Sequence, residues 1–124
     1  MSPPGSVEVL EGRTRLLVPN TFSSGGPGKR IGQVFFNSQM AFNRDVSVMF
    51  LRARPVRSAL DAMAGTGARA VRWAVETDVA DVTANDRDPQ AAEYIRTNVA
   101  LNGVEARCHV TNEDLRCMLA RRAF

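Results

Sequence analysis

A chain of 124 residues is long enough for one small domain and no more. Its apolar share of 44% is ordinary for a globular protein, so a packed core is possible. The net charge is +3, and nearly every basic residue is Arg, Lys29 being the only Lys. Arg favours bidentate phosphate contacts, which makes nucleic acid a candidate partner; a genomic bias toward Arg codons accounts for the same composition, and so small a charge does not define an RNA binder. No apolar run is long enough to span a membrane. The first nine residues, MSPPGSVEV, lack the charged and apolar regions of a signal peptide, so a cytoplasmic location is expected. Cys108 and Cys117 form no C-x-x-C pair and His109 adds no zinc spacing, so no metal is expected in this segment. Cys108 reads as a half-buried strand residue and Cys117 as a helix residue, both reduced.

Val7 to Val18 reads as a β-hairpin, because VEVL and RTRLLV alternate around a turn at Glu11-Gly12. Pro19 to Gly32 is rich in Pro, Gly and Ser and predicts a loop. Its GGPGKR piece has the look of a phosphate loop, but GKR lacks the hydroxyl that would meet magnesium, so a plain loop is expected. After the short apolar piece Val34 to Phe36, Asn37 or Ser38 can cap a helix over Gln39 to Ala53, which Pro55 ends. Phe42, Val46, Met49 and Phe50 share one apolar face of it, and Arg44-Asp45 reads as a solvated pair. A strand follows over Val56 to Ala62, then a helix over Ala68 to Thr77 and a second strand over Val79 to Asn85. Asp88-Pro89 opens a helix and Gly103 closes it, with Ala91, Ile95 and Val99 on one face. Ala106 to Val110 alternates as a third strand. Asn112 can cap a last helix carrying Leu115, Met118 and Leu119. Strands alternating with helices predict a parallel α/β sheet. Residues 1–55 form an N-terminal hairpin, loop and helix, and residues 56–124 begin a Rossmann-like unit.

The chemistry concentrates between the first strand and its helix, in DAMAGTGARAVR from Asp61 to Arg72. Gly65 and Gly67 suit a turn that needs positive φ or close approach by a ligand. With Ala70 they fit the dinucleotide fingerprint, and Asp86 lies about twenty residues on, where an acid binds a ribose. A helix-opening turn without a ligand would use the same glycines. Two ligand classes compete. A nicotinamide fold brings pyrophosphate onto the helix N-terminus. Here Asp61 stands ahead of the glycines; an acid there would repel pyrophosphate and suits an ammonium group. Arg69 sits in the first helical turn, where the helix dipole disfavours a cation. It either meets an anion, such as a carboxylate or an RNA phosphate, or is a solvated residue that tolerates the small cost.

Four pieces in order carry a resemblance: EGRTRLLVP, VFFNSQMAFNRDVSV, DAMAGTGARAVRWAVE and NDRDPQAAEYIRTNVALN. From Val7 onward the chain resembles the amino-terminal part of the tRNA (guanine-N2)-dimethyltransferases of archaeal and eukaryotic type. The resemblance implies a Rossmann-like class I methyltransferase fold, present through its first three parallel strands, and S-adenosyl-L-methionine as cofactor. It implies methylation of the exocyclic amine of guanosine 26 in tRNA. Position by position, it implies that Arg44 and Arg69 bind the methionyl carboxylate, that Asp86 accepts from the ribose hydroxyls, and that Asp114 with the backbone of Leu115 holds the adenine edge. Asp61, Gly65 and Gly67 belong to the same cofactor set. Family members are several times longer and carry, after the last helix seen here, a strand with an Asp-Pro-Phe-Gly loop that supplies the presumed proton acceptor. The chain is therefore expected to be a fragment with no assignable catalytic base, its first strand left with an unpaired edge. Two other readings remain: part of a NAD-dependent oxidoreductase, or a non-catalytic partner-binding module.

Overall fold

The computed structural model describes residues 3–20 and 34–121. The GGPGKR piece lies outside the described residues. Strand β1 (Ser6–Glu11) pairs antiparallel with β2 (Thr14–Pro19), with Glu11 opposite Thr14. The two-residue turn is therefore Gly12-Arg13, one position later than the sequence indicates. Gly12 adopts φ 60° while no non-glycine residue among the described residues has positive φ, as a II′ turn with Gly first requires. A 3-10 turn (Ser38–Met40) leads into α1 (Ala41–Ala53), with the Asn37 side chain accepting from the Gln39 amide. The cap is thus Asn37, and the regular helix starts two residues later than expected.

Strands β3 (Ser58–Asp61), β4 (Asp81–Asn85) and β5 (Cys108–Thr111) form a parallel sheet with β4 in the middle. Helices α2 (Ala68–Glu76) and α3 (Pro89–Leu101) make the connections, and α4 (Leu115–Arg121) follows β5. The Asp88 carboxylate caps α3 by accepting from the Gln90 amide, Pro89 fills the first helical position, and Gly103 turns the chain at φ 65°. At α4 the expected cap is replaced. Asp114 accepts from the Arg116 amide, whereas Asn112 donates its side-chain N–H to the Asp86 carbonyl. Both residue types cap well; the tertiary bond to Asp86 takes Asn112 out of the competition.

The core lies around α2 and α3. Leu16 and Val18 of β2, Val82 and Ala84 of β4, Val71 and Ala74 of α2, and Ile95 and Val99 of α3 are all buried together. Ala68, Ala70 and Ala74 keep α2 slim enough for neighbours to approach closely on several sides. Cys108 is fully buried rather than half-buried, and burial pushes its thiol up to about 11; Cys117 is exposed, and both are free.

The orientation of α1 reverses the expectation. Phe42 is 77% exposed and Met49 64%, with Val46 and Phe50 also exposed, while Arg44 and Val48 are buried. The polar face is the one that meets α2. Arg44 is no solvated surface residue: it donates from Nε and Nη2 to the two oxygens of Glu11 at 2.6 and 2.8 Å. Asp45 accepts from Arg72 Nη1 at 2.6 Å, and Ser47 accepts from the Trp73 indole N–H. Arg72 also pairs with Glu11 and, through Nε and Nη2, with Glu76, which Thr14 donates to as well. Burial works to raise the Glu76 carboxyl, but the Arg72 and Thr14 hydrogen bonds outweigh it and hold the group below its usual range.

Candidate functional site

The carboxyl ends of β3 and β4 open onto a cavity of about 390 Å³. That is where an open parallel sheet offers its binding crevice. Arg44, Asp61, Gly65, Arg69 and Asp86 of the sequence-derived set line it together, opposite an apolar wall that includes Phe35, Phe36 and Met40. Gly67, Asp114 and Leu115 are not among its lining residues.

The glycine turn explains the first wall. Gly65 has φ 59°, and a Cβ on it would stand 3.1 Å from the Phe35 carbonyl oxygen. A side chain there would push the apolar wall away from the turn. Gly67 has φ 83° at the N-cap of α2, and a Cβ on it would stand 3.2 Å from the Ile95 side chain of α3. The second glycine thus serves the packing of two helices, as the sequence pattern requires of a glycine that brings elements together.

The acids differ in how they are held. Asp86 accepts from the Gly65 amide through Oδ2 and from the Asp88 amide through Oδ1, both at 2.9 Å. Those bonds fix the carboxylate plane and leave each oxygen with further accepting capacity. Asp61 ends β3 half-buried as a residue, yet its Oδ2 is buried without a hydrogen-bond partner among the described residues. Burial pushes its carboxyl up to about 6; Arg69 and the Ala70 backbone N–H pull the other way, and Asp86 adds to the rise. A buried acceptor left open in a cavity wall is a site for a donor, and its charge makes a cationic donor the best fit.

The two arginines are held from outside the cavity. Arg44 is 5% exposed, lies 4.8 Å over the Phe36 ring and gives Nη2 also to the Asn37 carbonyl. Its Nη1 has no partner among the described residues. Arg69 donates from Nη2 to the Asn43 side-chain oxygen at 2.7 Å. Each residue of the Asn43-Arg44-Asp45 block thus engages or is an arginine partner.

Asp114 lies in the loop after β5. Its hydrogen bonds with Arg116, and the cap they complete, hold its carboxyl low at about 2. The loop is tied to the cavity through Asn112 and through Asn85. The Asn85 amide donates to the Ala62 and Glu113 carbonyls and accepts from Thr111 and the Glu113 amide. Asn85 knits the ends of all three parallel strands. Sequence reading used it only as the end of an apolar run; a lone polar side chain finishing a buried parallel strand was the available signal. Glu11 and Asn43 were missed as well, because their partners are remote in sequence; Phe36 was missed although its partner Arg44 is near, because no local pattern marks a ring that will carry a guanidinium.

Three parallel strands with crossover helices and a mixed acid-and-arginine cavity at their carboxyl ends make this the first part of a Rossmann-like class I methyltransferase fold. The solved M. jannaschii tRNA m1G37 methyltransferase shares the fold, with a TM-score of 0.72 at 20% identity over 90% of this chain and 31% of that one. The sequence pattern of the N2,N2-dimethylguanosine tRNA methyltransferases matches residues 12–124, and the chain belongs to that family. It is 39% identical to the tRNA (guanine(26)-N(2))-dimethyltransferase of Thermoplasma acidophilum over 94% of its own length and 32% of the relative's. Trm1 from Pyrococcus horikoshii, solved in complex with S-adenosyl-L-methionine, superposes with a TM-score of 0.80 at 29% identity, over 94% of this chain and 33% of that one. The chain spans about a third of the length of the curated relatives it matches.

Proposed function

We propose that the cavity binds S-adenosyl-L-methionine, and that this chain carries the cofactor-binding part of an enzyme that methylates N2 of guanosine 26 in tRNA. The observation that carries this reading is the open, buried Asp61 oxygen in the same cavity as two arginines and a pre-oriented Asp86. A zwitterionic amino-acid end with a ribose beside it meets all three. Asp61 takes the ammonium group. Arg69, together with Arg44 through its remaining Nη1, takes the carboxylate. Asp86 accepts from the ribose hydroxyls. Asp114 and the Leu115 backbone hold the adenine edge from the loop that Asn112 ties to Asp86.

The cofactor supplies an activated methyl on its sulfonium. These residues bind and orient it, and the enclosing wall of Phe35, Phe36 and Met40 limits water around it. The guanine amine must lose a proton as it is methylated, and none of the residues assigned here is given that task. Family membership and the fold shared with tRNA-modifying relatives support tRNA as the substrate, and the site of tRNA modification makes a cytoplasmic location the natural one. No helix among the described residues is long and apolar enough to cross a membrane.

Titration calorimetry tests the reading. S-adenosylhomocysteine is expected to bind the folded chain and NAD is not. Asp86→Ala removes two charge-assisted hydrogen bonds and should weaken binding at least about tenfold. Equal affinity in variant and parent removes Asp86 from the site, and a preference for NAD overturns the cofactor assignment.

A further inference from the structure

Arg69 and Asp61 line one cavity with opposite charges and are not paired with each other. The electrostatic pull between them is real: Arg69 is the main cation acting on the Asp61 carboxyl. A flexible arginine beside a buried, partnerless carboxylate oxygen would be expected to fold onto it. What opposes this is Asn43 of α1. Its side-chain oxygen accepts from Arg69 Nη2 at 2.7 Å, and its backbone carbonyl lies 3.5 Å from Nη1.

We infer that Asn43 is a positioning residue that holds Arg69 away from Asp61, so that the cavity keeps separate sites for a cation and an anion. Without that hold the two side chains would neutralise each other in the unliganded protein. A ligand bearing both an amine and a carboxylate would then have to break an internal ion pair before it could bind. Asn43 is suited to the task because it is neutral: it fixes the guanidinium by geometry and leaves its full charge for the ligand. It is also exposed, so it contributes little to the core and can be replaced without emptying a packed position. The charged and titratable groups that act on the Asp61 carboxyl or share its cavity are Arg69 on α2, Arg44 on α1, Asp86 after β4, Asp88 at the cap of α3 and Cys108 on β5. Of these only Arg69 is hydrogen-bonded to the Asn43 side chain.

The inference rests on the proposed ligand for its consequence in binding, but its first test needs no ligand. Carboxylate NMR titration of Asp61 is compared in the parent, Asn43→Ala, Asn43→Gln and the double variant Asn43→Ala/Arg69→Met. In Asn43→Ala, Arg69 is free to pair with Asp61, and the titration midpoint should move down by about one to three pH units. It should stay near the parent's in Asn43→Gln, which keeps a neutral amide acceptor, and should return upward in the double variant. An unmoved midpoint in folded Asn43→Ala overturns the inference. The second arm is the affinity for S-adenosylhomocysteine, expected to fall about tenfold in Asn43→Ala and to be kept in Asn43→Gln. Lost affinity with an unmoved Asp61 makes Asn43 a merely structural residue and also overturns the inference. If the parent itself fails to bind S-adenosylhomocysteine, the proposed ligand falls, while the Asp61 titration still decides the role of Asn43.

Discussion

Asp61 is the residue on which the chemistry of the cavity turns, and its unusual state makes a measurable demand on the fold. The folded carboxyl titrates at about 6 against an ordinary value of 3.8. Below the lower value it is protonated in both the folded and the unfolded chain and costs nothing. As pH rises through the window between the two, the unfolded chain ionises freely while the folded chain resists, so stability is lost with rising pH. The loss is complete above the folded value and amounts to roughly 3 kcal/mol. Asp61→Asn abolishes the titration. Urea unfolding at pH 4 and at pH 7.5 is therefore expected to show the variant gaining on the parent by roughly 2.5 kcal/mol between the two, because at pH 4 the unfolded carboxyl is already about half ionised. A pH-independent difference would mean that Asp61 is not held in this state. A bound ammonium ion reverses the sign, because it stabilises the carboxylate: ligand affinity should rise with pH through the same window. An α-ammonium, with a pKa of about 8, keeps its charge there.

At the level of elements, a buried ionic cluster ties the hairpin and α1 to the site, alongside the apolar contacts that Leu16 and Val18 make in the core. Glu11, at the end of β1, receives Arg44 from α1 and Arg72 from α2, and Arg72 is only 3% exposed. Gly12 lets the hairpin tip approach this closely. A Cβ there would sit 2.6 Å from Arg72 Nη2 and from both oxygens of Glu76, in a backbone conformation at φ 60°. Gly12→Ala is expected to destabilise the chain by about 1–2 kcal/mol for the backbone alone. If the Arg72–Glu76 pair is driven apart, the loss rises to about 3–5 kcal/mol. A lowered thermal midpoint reads this out, and an unchanged one would show that the tip is not docked as described. These contacts also mark where sequence reading stops. The glycine turn, the Asp88-Pro89 cap and the alternation of strands and helices were legible because each is a local signal between near neighbours. The partners Asn43–Arg69, Arg44–Glu11 and Asp45–Arg72 lie 26, 33 and 27 residues apart and leave no periodic trace. For α1 the spacing of Phe42, Val46, Met49 and Phe50 identified an apolar face correctly. Periodicity does not say what covers a face, and here α2 takes the opposite one. The Asp61–Gly65–Asp86 part of the site was readable for the same reason as the fold, since the fingerprint is local. Arg44 had only the family resemblance to recommend it.

Two features of the whole molecule act in the same direction. Strand β3 pairs with β4 on one side only among the described residues, so its other edge presents unpaired N–H and C=O groups. The exposed face of α1 adds an apolar patch with Phe42, Met49 and Phe50. The largest apolar patch on a typical monomer is roughly 300–600 Å². Covering a patch of about 400 Å² would yield about 10 kcal/mol at about 25 cal/mol per Å². Association costs about 4–15 kcal/mol in lost freedom, so the helix face alone gives weak, concentration-dependent contact. Main-chain pairing along β3 adds to it. The chain by itself is therefore expected to self-associate, with a sedimentation coefficient that rises with concentration. Phe42→Glu combined with Met49→Glu removes the apolar term and places like charges on the facing helices. Both side chains are exposed, so the fold should survive the change. The double variant should sediment as a monomer across the range in which the parent associates. Association that persists in the variant would assign it to the β3 edge, and a parent that stays monomeric at every concentration would show that neither surface is adhesive.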